Sequence, residues 1–272
     1  MLVAAFEGWN DAGDAATIAA RWLRDHFRAR RFASLDPEEF YDFSSTRPQI
    51  RLVGGATRRI EWPANELWAA DLPDSDRDLV VLVGVEPQLR WRTFCQQILS
   101  VAAELGVELV VTLGALLAEV AHTRPVQLTG TAADPDLVRR LGLTRSTYEG
   151  PTGIVGVLHD SLREGGTASA SLWAAVPHYV GSTPSPKAAL ALVQHAGNLL
   201  GLDLPTAELE RAAATYVRSV SEVVAGDDDV ARYVAGLERE AEEEGDDEAL
   251  RVTSGDDLAA ELERFLREHP GG

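Results

Sequence analysis

The chain has 272 residues, 45% of them hydrophobic and 25% charged, which is the balance of a folded globular protein and not of a disordered tail or a fibre. Its 25 basic and 43 acidic residues give a formal net charge of −18, which disfavours nucleic acid and anionic lipid as partners, because both call for a surplus of Lys and Arg. The single cysteine, Cys95, excludes an intrachain disulfide and a multi-cysteine zinc site, and it fits a reducing compartment.

The chain opens on a continuous apolar run, Leu2 to Phe6, which predicts a strand covered on both faces. The turn Gly8-Trp9-Asn10-Asp11-Ala12-Gly13-Asp14 follows, then an Ala-rich helix from about Ala15 to Arg28. Phe40-Tyr41-Asp42-Phe43 reads as a strand. Ile50 to Val53 and Thr57 to Trp62 read as a hairpin about Gly54-Gly55. Leu79 to Gly84 is a second buried strand, Trp91 to Leu105 an amphipathic helix, and Val107 to Leu113 a third buried strand. Pro125 to Gly130 reads as a short strand, Asp134 to Leu141 and Gly153 to Arg163 as helices, and Thr167 to Val176 as a strand. Ser185-Pro186 is an N-cap followed by proline at the first helical position, and that helix runs to about Leu200.

Apolar strands alternating with helices predict an α/β fold with a mostly parallel sheet and helices on both faces. We expect a core domain over residues 1–204 and an acidic helical appendage over residues 205–272. From Glu222 onward there are about 17 acidic and about 5 basic residues, roughly −12 of the total charge, a solvated face or a docking surface for a basic partner. Ser254-Gly255-Asp256-Asp257 resembles a capping box within that stretch. The longest apolar run, Leu79 to Val85, is far short of the about 18 residues a membrane span needs. The first residues lack the basic n-region of a secretory signal, so the expected location is the cytoplasm.

Chemistry-bearing groups are few. The loop Gly8 to Gly13 joins a strand to a helix, the place where open α/β sheets bind ligands. It has neither the dinucleotide-binding glycine spacing nor the Gly-Lys-Ser/Thr of a P-loop, and Glu7, Asp11 and Asp14 would repel phosphate. The plainer expectation is a tight turn whose Asn and Asp satisfy donors at the helix start. If there is a pocket, Glu7, Asn10 and Asp11 line one wall, and Glu119 and His122 a second. His122 and His178 follow strand-like segments, where acid–base groups often sit. Glu86 follows the second buried strand and could pair with Glu119. No two histidines have helical zinc spacing, and no nucleophile elbow is present. Neither a metal nor a cofactor is expected.

Five segments together resemble a known family. They are Phe6-Glu7-Gly8-Trp9-Asn10-Asp11-Ala12-Gly13-Asp14-Ala15-Ala16, Thr112 to Pro125 around Leu116-Leu117-Ala118-Glu119, Tyr148-Glu149-Gly150-Pro151-Thr152-Gly153 with the following Ile154 to Leu158, Ser171 to Val180 around Trp173, and Ser185-Pro186-Lys187-Ala188-Ala189. This chain resembles the proteasome assembly chaperone family, that of proteasome assembly chaperone subunit two, in its actinobacterial, ATP-independent branch. The resemblance spans about Met1 to Gly201. It implies a three-layer α/β/α sandwich similar to purine nucleoside phosphorylases, assembly into homo-oligomers, often trimers, and proteasome subunits as partners. Relatives with that role commonly end in a hydrophobic residue, a tyrosine and one more residue, whereas this chain ends Glu268-His269-Pro270-Gly271-Gly272. Two functions therefore stand open: a non-enzymatic assembly protein, and an enzyme or small-ligand-binding protein of ligase-like or phosphorylase-like kind.

Overall fold

The apolar opening of the chain becomes the middle of a sheet. In the computed structural model, which describes residues 1–55, 57–73, 75, 77–132 and 152–244, β1 (Leu2–Glu7) lies between two parallel neighbours, β6 (Leu79–Val85) and β7 (Leu109–Ala118). β7 continues the parallel ladder to β9 (Ala168–Pro177) over ten residues, from Leu109 opposite Ala168 to Ala118 opposite Pro177. Antiparallel strands finish both sides. β5 (Asn65–Ala70) pairs with β6, β2 (Arg30–Leu35) with β5, and β8 (Leu128–Ala132) with β9. The seven strands run in the order β2-β5-β6-β1-β7-β9-β8.

Period-two alternation sends the side chains to two separate cores. Val3, Ala5, Val81 and Val111 face α1 (Ala15–His26) and α5 (Pro186–Leu200). Leu2, Ala4, Phe6, Leu82 and Val110 face α3 (Trp91–Glu104) and α4 (Ile154–Glu164), where Phe94, Ile98, Leu158 and Leu162 are buried. The result is the three-layer α/β/α sandwich. The alanines of α1 let that helix lie close to the sheet, and Ala15, Ala16, Ala19 and Ala20 are fully buried there.

Two additions complete the described residues. A separate hairpin of β3 (Gln49–Val53) and β4 (Thr57–Glu61) turns at Gly54 and Gly55, both at positive φ, as the sequence predicted. Beyond the sandwich, α6 (Ala207–Ala225) and α7 (Asp228–Glu244) pack back onto the core. No helix among the described residues is long and apolar enough to cross a membrane.

Several expectations need correction. Phe40 to Phe43 is not a strand. Asp36 caps the short helix α2 (Pro37–Phe40) by accepting from the Glu38 amide at 3.0 Å, and that turn buries Phe40 and Tyr41. β8 begins at Leu128, three residues later than the predicted start, and β7 runs four residues past Gly114 because β9 pairs with it throughout. β2 and β5 were not read in the sequence at all. The predicted helix Asp134–Leu141 and the Ser254 capping box lie outside the described residues.

Candidate functional site

In an open α/β sheet the ligand crevice lies where the strand order reverses, outside the carboxyl ends of the strands. Here the chain crosses from β6 over β1 to β7, so the reversal falls between β1 and β7. That crevice is filled by backbone. The Asn10 carbonyl accepts from the Ala115 amide at 2.8 Å, and Asp11 bridges Ala115 in parallel fashion. The loop after β1 has thus taken up the edge of β7 that β1 vacates. Gly13, at positive φ, is pressed against α5: the Ser185 amide donates to its carbonyl at 2.7 Å, and a Cβ there would lie 3.0 Å from that of Ser185.

Both helix N-termini beside this crevice are occupied by carboxylates of the chain. At α1, Asp11 Oδ1 accepts from the amides of Ala16 at 2.7 Å and Thr17 at 3.2 Å, while the Thr17 hydroxyl donates to Oδ2 at 2.5 Å. Asp11 is nearly inaccessible, and burial raises its pKa in spite of these three bonds. At α4, Glu86 Oε1 accepts from the Ile154 amide at 3.0 Å and from Asn10 Nδ2 at 3.2 Å. Gly153 permits this approach, since a Cβ there would sit 3.0 Å from Glu86 Oε1. A helix N-terminus ordinarily attracts an anion. These two already hold one each.

The residues proposed for two walls of a pocket belong to different hydrogen-bond sets. Glu7 pairs with Arg21 at a half-exposed position. Asn10 joins Glu86, and Asp11 joins α1. Glu119 is exposed after the end of β7. His122 is buried at 3% exposure beneath α6. Its backbone amide donates to the Tyr179 hydroxyl at 2.8 Å, its Nδ1 lies 2.8 Å from the same oxygen, and its Nε2 lies 3.0 Å from Ser221 Oγ. Burial, and secondarily the nearby Lys187 ammonium, lower its pKa. Lys187 itself donates to the carbonyls of His122 and Arg124, and burial lowers its pKa to about 8. His122 therefore fastens a helix to the loop after β7. His178, in a single 3-10 turn after β9, lies edge-on to Tyr179 and Tyr233.

The same set shows what α6 and α7 do. Tyr216, Val220, Val224, Val234 and Leu237 bury Ala121 beneath them, with Tyr179 and Val180 at the margin. Thr123 donates to Glu238 at 2.5 Å, and Arg124 pairs with Glu242. The two helices seal the carboxyl ends of β7 and β9. The β1 and β6 side of the edge is different. Trp9 is 57% exposed on its loop and Leu89 is exposed after β6. A cleft of about 400 Å³ does exist between the end of α5 and the start of α6, lined by Gln194, Asn198, Asp203 and Glu210. It lies at the opposite end of the sheet, where the Leu200 carbonyl meets Ser75.

Other expectations can be placed directly. Cys95 is buried, as a small apolar residue would be, and burial raises its pKa to about 11. His159 packs inside the sandwich: Nδ1 lies 2.7 Å from Ser169 Oγ, and Nε2 lies 2.5 Å from Ser171 Oγ and 3.0 Å from Thr112 Oγ1. Among the described residues no group of three or more His, Cys, Asp or Glu could hold a metal ion. Sequence reasoning missed Tyr41 and Asn65, which together hold the Val85 carbonyl at the end of β6, at 2.6 and 3.0 Å.

The family model described as PAC2 family matches residues 5–224. A PAC2 family protein from Streptomyces avermitilis is 48% identical, with a TM-score of 0.79, over 86% of this chain and 98% of that one. A proteasome-assembly chaperone homologue from Mycobacterium tuberculosis is 45% identical, with a TM-score of 0.78, over 86% of this chain and 99% of that one. An archaeal proteasome activator from Pyrococcus furiosus shares the fold at 20% identity and a TM-score of 0.66, over 82% of this chain and 92% of that one. No curated protein matches the chain.

Proposed function

The chain belongs to the PAC2 family, and on that premise we propose that it is a proteasome-assembly-chaperone-like protein that acts by binding other proteins, without ATP and without catalysis. Its partners on this reading are proteasome subunits, it works as a homo-oligomer, with a trimer favoured, and it does so in the cytoplasm. The 45% identical proteasome-assembly chaperone homologue supports the class of partner.

One observation carries the non-enzymatic part. The sheet edge where a small anionic ligand would enter is filled by Asn10, Asp11 and Glu86 of the chain itself. A nucleotide phosphate would have to displace two carboxylates from helix N-termini and would meet their charge. His122, the best-placed acid–base group, spends its ring nitrogens on Tyr179 and Ser221. What the edge does offer is exposed apolar surface at Trp9 and Leu89, which suits a protein partner.

The test is native mass spectrometry of the full chain mixed with separately produced proteasome α and β subunits from the same cell. The expected result is a mixed complex of fixed stoichiometry, unchanged by ATP and weakened by Trp9→Ala. A homo-oligomer that ignores those subunits and retains a small molecule would favour the ligand-binding or enzymatic reading.

A further inference from the structure

The β3–β4 hairpin alternates between two faces, with Val53 an exception on the polar side. Paired positions Gln49 and Glu61, and Arg51 and Arg59, make one polar face, braced by an Arg51–Glu61 ion pair at 3.0 Å. Ile50 pairs with Ile60 on the other, with Leu52 beside them opposite Arg58. The three apolar residues are 63%, 55% and 64% exposed. An isolated two-stranded ribbon is marginal in water, and soluble monomers rarely leave a contiguous apolar strip uncovered. Such a strip marks an interaction site, and a second copy of the chain is an occupant always at hand.

Charge points to the same occupant. From Arg47 to Trp62 there are four arginines and one glutamate, in a chain whose net charge is −18. The junction of α6 and α7 is the converse. Val223 is 71% exposed and stands among Glu222, Asp227, Asp228 and Asp229, all exposed. Both surfaces lie toward the carboxyl end of the parallel strands. The hairpin leads into Asn65 opposite Gly84 at the end of β6, and the α6–α7 junction follows Ser221, which reaches His122 beyond β7.

We propose that the β3–β4 hairpin of one copy docks on the α6–α7 junction of a second copy, its isoleucines against Val223 and Arg58, on the same face, against the surrounding carboxylates. The contact joins two different surfaces, so it runs head to tail, and the proposal takes its rotation to close into a ring and not to run on as an open filament. This rests on the homo-oligomer reading above and names its contact.

Sedimentation of the full chain tests it. The parent should be a closed oligomer at micromolar concentration that loosens as salt is raised. An arm variant, Ile50→Ser with Ile60→Ser, should raise the dissociation constant about a hundredfold or more while circular dichroism is unchanged. An acceptor variant, Glu222→Arg with Asp228→Arg, should also be monomeric. Mixed together, the two variants should form a one-to-one dimer and nothing larger, because each retains the half the other lost. A monomeric parent, an arm variant that assembles like the parent, or a mixture that stays monomeric would overturn the proposal. Capture of proteasome subunits is measured in parallel. Its failure with oligomers intact would count against the proposed function alone, and an arm variant that stays assembled yet loses capture would assign the hairpin to the subunits instead.

Discussion

The carboxyl edge of the sheet has two halves that meet the same physical problem differently. Over β7 and β9 the chain covers itself: α6 and α7 lay Tyr216, Val220 and Leu237 on Ala121, and His122, Thr123 and Arg124 fasten them. Over β1 and β6 the polar groups are satisfied in place, by Asp11, Glu86, Tyr41 and Asn65, while Trp9, Leu89 and the hairpin remain exposed. The difference teaches where binding belongs. A half sealed in cis has little left to offer, and a half with exposed apolar groups and occupied anion sites is suited to protein surfaces and poorly suited to phosphates.

The comparison can be tested from its foundation outward. His159 reaches from α4 to β7 and β9, beneath the sealed half, and burial lowers its pKa to about 4 from an ordinary value of 6.5. The unfolded chain therefore takes up the proton first, so stability is full above about pH 6.5 and is lost as pH falls toward 4. The loss should approach about 3 kcal/mol in denaturant titrations, and His159→Asn should flatten that limb of the profile. An unchanged pH profile in this variant would remove His159 from the account.

Leu237→Ala, in the sealed half, should cost about 2 kcal/mol through the cavity it leaves. Hydrogen exchange should show the loss in α6 and α7 before the sheet responds. Tyr179→Phe should cost about 1 kcal/mol, because it removes the hydroxyl that serves both the amide and the ring of His122. Limited proteolysis should then cut α7 sooner. Acid should act in the same direction, since a lowered imidazole pKa means that the helices are held best above the ordinary histidine value and loosen as pH falls below it. On the exposed half, Trp9→Ala and the pair Ile50→Ser and Ile60→Ser should change folding stability by less than about 0.5 kcal/mol in the monomer. A large loss there would mean that these side chains support the fold and are not an exposed surface.

Much of this was legible in the residues, for identifiable reasons. β1, β6 and β7 are covered on both faces, so they read as nearly continuous apolar runs. β2 and β5 escaped notice because an edge pair needs no such run: Arg30 and Arg31 are exposed, and Asn65 is buried for its hydrogen bonds. Phe40-Tyr41 mimicked a strand, although Asp36-Pro37 just before it spelled a helix start. Asp11 as the occupant of a helix N-terminus was readable, because cap and helix are five residues apart. Glu86 reaching Asn10 and Ile154 was not, because separations of 76 and 68 residues are set by the sheet order. The fastening of α6 by His122 depends on Ser221, 99 residues away, and no local pattern announces it.

The most direct measurement is hydrogen exchange on the full chain, alone and with proteasome subunits, resolved to the hairpin, the Trp9 loop and the α6–α7 pair. The account predicts that added subunits protect the Trp9 loop and that ATP protects nothing at Gly8 to Gly13 or at Gly153. Protection of those glycine loops by ATP, with the Trp9 loop still exchanging freely after subunits are added, would contradict it.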